Sequence, residues 1–107
     1  GAGLPLGSTA RLGGRAIEVR EQAAFLEDGT LAGSTLTMDR AFGNIVTSVG
    51  GSLVDAVTLC STSPARALGL SGFGVLADGA AADLVVLDRA FHVRTTFIAG
   101  HQVFQAN

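Results

Sequence analysis

The side chains able to do chemistry are few, and their spacing does not bring them together. His92 and His101 are the only histidines, and neither belongs to a His-x-His or Glu-x-x-His pair. A metal site needs three or four ligands converging on one point. Both histidines therefore read as surface residues, His92 on the solvent side of an alternating strand and His101 at a hairpin tip. Cys60, the single cysteine, cannot form an internal disulfide, and its place in an apolar helical pattern predicts a buried core residue. Asp28, Asp78 and Asp88 stand beside glycine or arginine at turns, where carboxylates accept from backbone amides. Asp55 reads as a helix-start residue, and Asp83 as a residue before a strand that bonds a turn. None pairs into a general acid and base. Ser34, Ser52 and Ser63 each read as a helix cap, which leaves no serine marked as a nucleophile.

What remains is Leu31-Ala32-Gly33. The stretch from Leu26 to Ala41 places a turn, an exposed backbone segment and the cap Ser34 in immediate succession. Gly33 would let a ligand approach the backbone closely, and amides at a helix start are ready donors to oxygen atoms. The same pattern also describes a loop that does no more than enter a helix. The residue types leave both readings open.

The elements that must position this segment follow from periodicity. Residues Gly1 to Gly14 carry turn chemistry and read as irregular. Arg15 to Arg20 alternates, with Ile17 and Val19 on one side. A turn at Glu21-Gln22 leads to a second strand, Ala23 to Glu27, closed by Asp28-Gly29, giving a hairpin over 15–27. Ser34 is expected to cap a helix over about 35–49, with Met38, Phe42, Ile45, Val46 and Val49 as its apolar stripe. Gly50-Gly51 ends it. Gly43 in its middle costs about 1 kcal/mol relative to Ala. Ser52 and Asp55 form an acidic capping box for a helix over 53–61, whose buried stripe is Leu53, Ala56, Val57 and Cys60. Ser63-Pro64 opens a last helical turn at 64–68, ended by Gly69. The period then changes. Gly74-Val75-Leu76 reads as a short strand, Asp78-Gly79 as a turn, and Leu84 to Leu87 as a central strand. Phe91 to Ile98 alternates, Ala99 to Gln102 turns, and Val103-Phe104 closes a second hairpin. The order is a hairpin, three helical segments, then three or four strands.

Composition limits the function classes. A chain of 107 residues is one domain or a piece of one. Only 15% of residues are charged, against about a quarter in a free-standing soluble domain, while 48% are apolar and 15 are glycine. Some surface is therefore expected to be covered, by more chain or by a second subunit. A net charge of −2 without a basic run excludes the usual nucleic-acid footprint. No apolar run is long enough to span a bilayer, and no basic, apolar, cleavable leader is present. A soluble cytoplasmic protein is the expectation. The start at Gly1 without an initiator Met reads as the mark of a truncated or processed chain.

The run Asp28-Gly-Thr-Leu-Ala-Gly-Ser-Thr-Leu-Thr-Met-Asp-Arg-Ala41, followed by Asn44-Ile45-Val46, resembles the C-terminal part of the N-acetylglucosamine-6-phosphate deacetylases. Ser63-Pro-Ala-Arg-Ala-Leu-Gly-Leu70, Gly74-Val-Leu-Ala-Asp-Gly79, Ala82-Asp-Leu-Val-Val-Leu-Asp88 and Val93 to Val103 are similar to the amidohydrolase superfamily more broadly. Gly1-Ala-Gly-Leu-Pro5 looks like the segment that follows the family's catalytic aspartate. The resemblance covers essentially the whole chain.

What the resemblance implies is a (β/α)8 barrel with a small β-sandwich built from both chain ends. The chain would be an α+β fragment of it, with 1–69 the end of the barrel and 70–107 strands of the sandwich. The implied activity removes acetate from N-acetylglucosamine 6-phosphate to give glucosamine 6-phosphate. A divalent metal (zinc, iron or another) activates water, an aspartate acts as general base and then acid, and the full-length enzyme is a homodimer. Carried over by position, the metal ligands and the catalytic aspartate have no counterpart in these residues. The fragment alone is expected to be inactive and to bind no metal. The family's leucine-x-glycine substrate contact falls on Leu31, Ala32 and Gly33. Gly43 departs from the pattern, because relatives commonly carry a larger residue there. The alternatives are the tail of another amidohydrolase, acting on a cyclic amide or an N-acyl amino acid, and a free-standing α+β interaction module.

Overall fold

The computed structural model describes residues 1–21 and 23–107. The Gln22 half of the turn read at Glu21-Gln22 lies outside the described residues. The chain divides into two compact units, Gly1–Thr37 and Met38–Asn107.

The first unit is a four-stranded antiparallel meander, β1 (Thr9–Leu12), β2 (Arg15–Arg20), β3 (Ala23–Leu26) and β4 (Leu31–Ser34), in that order across the sheet. The alternation in β2 holds. Ile17 and Val19 are buried, and they stand directly opposite Leu26 and Ala24 on β3, which are buried too. Ile17, Ala24 and Leu26 form the core, with Ala10 and Ala32 packed on it. The hairpin over 15–27 is therefore present. The expected irregularity holds for residues 1–8 but not for Thr9–Leu12, which form β1. Thr9 to Leu12 pairs with β2 through the two-residue turn Gly13-Gly14. Both glycines have positive φ, 56° and 81°, the backbone that suits the twist of a tight hairpin.

The second unit holds three helical stretches and a separate sheet. α1 spans Met38–Thr47, shorter at both ends than the expected 35–49. Ser34 does not cap it. Its register with Ala23 keeps it in β4, and its Oγ accepts the Leu36 amide at 2.9 Å in a local turn. Thr35 and Thr37 then intervene, and threonine is a weak helix former. At the other end Gly50 takes φ 79°, and the Gly51 amide donates to the Ile45 carbonyl at 2.9 Å, so the glycine stop is real.

α2 (Leu53–Val57) starts with the predicted capping box: Ser52 Oγ accepts the Asp55 amide at 3.1 Å, and Asp55 Oδ2 accepts the Ser52 amide at 2.8 Å. It runs without a break through a π-helical turn (Thr58–Thr62) into α3 (Ser63–Ala67). The expected new start at Ser63 is a correction, since Thr62 and Ser63 keep right-handed helical backbone and no side chain caps α3. The predicted buried stripe of the helix at 53–61 is also corrected. Ala56 is buried, but Leu53 and Val57 are exposed, Cys60 is only partly covered, and α1 buries no residue.

The terminal sheet is β5 (Leu84–Leu87), β6 (Val93–Ile98) and β7 (His101–Gln105) in chain order. β6 is therefore central, and β5 is an edge strand with Val85 and Val86 exposed. The strand expected at Gly74-Val75-Leu76 does not form, because Gly74 has φ 70° and its carbonyl is taken by the Thr62 hydroxyl at 2.8 Å. The Asp78-Gly79 turn holds, closed by the Ala80 amide on the Ala77 carbonyl at 3.1 Å. The last hairpin turns on Ala99-Gly100 alone, both with positive φ.

Candidate functional site

Leu31, Ala32 and Gly33 do not form a loop entering a helix; they are β4, the last strand of the first sheet. A tight turn delivers them. The Gly29 amide donates to the Leu26 carbonyl at 2.9 Å, the Leu26 amide to the Thr30 carbonyl at 2.8 Å, and the Thr30 amide to Asp28 Oδ1 at 2.9 Å. Arg15 Nη2 lies 3.2 Å from Asp28 Oδ2 and braces the turn from β2. Hydrogen bonds from the Thr30 side chain, then its amide, hold the Asp28 carboxyl below its ordinary value.

The pairing of β4 is irregular. Gly33 stands opposite Ala24 and Leu31 opposite Phe25, with a register slip between Ala24 and Phe25. Ala32 is thus the extra residue of a bulge, and bulges bend a strand and re-aim its side chains. Ala32 packs on the core, while Leu31 stays 65% exposed. Gly33 has an ordinary φ, and a Cβ there would meet nothing within 4 Å. Backbone conformation does not require glycine at this position, and neither does packing among the described residues. The edge that β4 presents carries backbone donors and acceptors without a strand beside it among the described residues.

The remaining reactive groups lie elsewhere. His92 is not in a strand. It follows β5 in a tight turn, where Asp88 Oδ1 accepts the Ala90 and His92 amides at 2.8 and 3.0 Å, and its Nδ1 lies 3.5 Å from Asp88 Oδ2. Its own amide bond is the main cause of the lowered Asp88 pKa. His101 begins β7, paired with Ile98. Asp83 Oδ1 accepts the Ala99 amide at 2.8 Å, so it bonds the hairpin turn as its position suggested. The Ser52 hydroxyl, then its amide, lowers the Asp55 pKa. No group of three or more His, Cys, Asp or Glu among the described residues could hold a metal ion. The donor set here does not fit one.

One feature had no sequence signal. A cavity of about 480 Å³ opens in the second unit, with Met38, Phe42, Val57, Cys60, Leu76 and Val93 among its lining residues. Met38 and Phe42 read as an apolar stripe and Val57 and Cys60 as a buried one from their spacing, and periodicity cannot tell a filled interior from an open one. No helix among the described residues is long and apolar enough to cross a membrane.

Known proteins resemble the chain over nearly all its length. It is 37% identical over 105 residues to an N-acetylglucosamine-6-phosphate deacetylase of Lysinibacillus sphaericus, covering 98% of this chain and 27% of that protein. It is 40% identical over 96 residues to the protein of that name from Bos taurus, covering 88% and 24%, and 37% identical to an N-acetylgalactosamine-6-phosphate deacetylase of Escherichia coli O157:H7, covering 92% and 26%. The chain spans about a quarter of the length of these relatives. Among solved structures it is similar to N-acetylglucosamine-6-phosphate deacetylase from Thermotoga maritima, with a TM-score of 0.83 and 38% identity over 98% of this chain and 29% of the other. The enzyme from Pasteurella multocida gives 0.81 and 29% over 94% and 26%. Residues 15–103 match the amidohydrolase family, and with that match from β2 through all three helical stretches into β7, the chain belongs to the amidohydrolase family.

Proposed function

We propose that these residues are the C-terminal segment of a deacetylase that removes acetate from N-acetylglucosamine 6-phosphate. The observation that carries this reading is the identity of 37–40% to deacetylases across nearly the whole chain. In this reading residues 1–69 complete a (β/α)8 barrel and residues 70–107 add strands to a small β-sandwich. The long protein is a cytoplasmic homodimer. Its divalent metal and its acid/base aspartate are supplied by residues other than these 107, which alone turn over no substrate.

The part left to this segment is substrate contact through Leu31, Ala32 and Gly33. The bulged edge strand supports it. A sheet edge offers backbone amides and carbonyls to a polyhydroxylated ligand, and the bulge at Ala32 turns the strand locally. Gly33 is glycine without a conformational or packing need among the described residues, which fits a position kept small for a close neighbour.

Two assays test the reading. The 107-residue chain, given divalent metal and N-acetylglucosamine 6-phosphate, should release no acetate; turnover would overturn the assignment of the chemistry to other residues. In the full-length protein Gly33→Leu should raise KM for the sugar phosphate about tenfold or more, the cost of displacing a close backbone contact. An unchanged KM would remove Leu31 to Gly33 from the site. Running N-acetylgalactosamine 6-phosphate beside the glucosamine isomer decides between the two amino sugars, both of which occur in the names of relatives at 37% identity.

A further inference from the structure

We infer that the π-helical turn at Thr58–Thr62 is a latch that seats the strap of residues 68–83, and that Pro64 holds the latch open. Proline lacks an amide hydrogen, and its ring collides with the carbonyl four residues back in a straight α-helix. Here the helix adds a residue to its turn. The Ser63 amide reaches back five residues to the Thr58 carbonyl, while Val57, Thr62 and Ser63 all keep right-handed helical backbone. Single π turns of this kind mark places where a helix has been altered for a local purpose.

The purpose is visible in what meets that turn. Thr62 Oγ1 donates to the Gly74 carbonyl at 2.8 Å in a partly buried contact. A Cβ on Gly74 would lie 2.7 Å from the Ser61 carbonyl oxygen and 2.8 Å from Ala65 Cβ. Gly74 also has φ 70°. Backbone therefore crosses backbone at the π turn, with a hydroxyl locking the crossing. Around it the strap has no strand or helix. It is tied instead by the Leu70 amide on the Ala65 carbonyl at 2.9 Å and the Ala81 amide on the Gly72 carbonyl at 2.7 Å. Gly74, Val75 and Leu76 form one wall of the apolar cavity, and Leu84, Val85 and Leu87 of β5 line it too. The latch thus sets both that wall and the path by which the chain enters the terminal sheet. Thr62 and Pro64 are positioning residues for the strap, whichever substrate the protein takes.

Hydrogen exchange on the full-length protein, read by mass spectrometry, tests this. Thr62→Val and Pro64→Ala should each speed exchange in peptides spanning 69–83 about tenfold, the effect of losing one protecting hydrogen bond. Peptides from β1 to β4 should exchange as in the parent. Thr62→Ser, which keeps the hydroxyl, should restore protection. Gly79 is the control glycine, with φ 78° and open space at its Cβ, so Gly74→Ala should lower Tm by more than Gly79→Ala. Parent-like exchange of the strap in Thr62→Val or in Pro64→Ala would overturn the inference. So would exchange raised equally throughout the protein, or equal losses of Tm at the two glycines.

Discussion

Gly43→Ala should stabilise the protein, although glycine occupies the middle of a helix that closes on an aromatic ring. Gly43 lies in α1 with ordinary helical backbone. Replacing it with alanine in a helix interior is worth about 1 kcal/mol. Phe91 lies over it, tilted against Phe42 with ring centroids 5.6 Å apart. A Cβ at 43 would meet Phe91 Cδ2 at 3.4 Å, its Cβ at 3.5 Å and its Cγ at 3.8 Å. These are ordinary van der Waals distances, each adding about 0.1–0.2 kcal/mol of attraction. The net gain is about 1–1.5 kcal/mol, a rise in Tm of about 2–6 °C at the scaling of a 150–250-residue domain. Calorimetry on the full-length protein reads it. Gly51→Ala is the contrast, because its Cβ would sit 2.9 Å from Ile45 Cγ2 and 3.3 Å from the Ile45 carbonyl. Overpacking of that kind costs about 1–3 kcal/mol. A loss of stability in Gly43→Ala would refute the reasoning: Phe91, held at φ 67°, would then need the bare glycine to keep its strained backbone.

Ala99 sits at φ 49° in a two-residue hairpin turn before Gly100, so Ala99→Asn should stabilise by about 1 kcal/mol, because asparagine tolerates left-handed backbone; urea denaturation would show a higher midpoint at unchanged m-value. Ser52→Ala removes the cap of α2 and should cost about 1 kcal/mol, seen as an earlier thermal transition. Asp28, Asp55 and Asp88 all titrate below the ordinary 3.8. Their ionised forms favour the folded state, so that contribution is complete above the unfolded pKa and fades as pH falls through the lower folded values. An acid titration followed by circular dichroism should therefore show stability falling below about pH 4, and the triple asparagine variant should flatten that slope.

Much of the chain was legible where one residue type has one physical use. Asp55 three residues after Ser52 specified a capping box, Gly50 a helix stop and Asp28-Gly29 a turn, because each answers a local hydrogen-bonding or φ requirement. Ile17 and Val19 declared a buried face because the strand period is two. The errors share a cause. Ser34 and Ser63 both look like caps, and each was claimed by something else: a sheet register for Ser34, and a π turn that carries the helix straight through for Ser63. Gly13-Gly14 looked like loop and is a hairpin turn, a signal available in the pair itself. His92 looked like strand because its neighbours alternate, yet two amides bound to Asp88 fold it into a turn.

Sequence alone determined the family, the capping box at Ser52 and Asp55 and the glycine stop at Gly50, because relatives share residues and short-range chemistry acts within a few positions. Tertiary structure decided which element Leu31 to Gly33 forms. Whether Leu31 to Gly33 is a loop or a bulged edge strand depends on what pairs with it. Whether an apolar stripe is core or cavity wall depends on what lies against it. Both depend on contacts with residues far along the chain, and a local pattern carries no record of them.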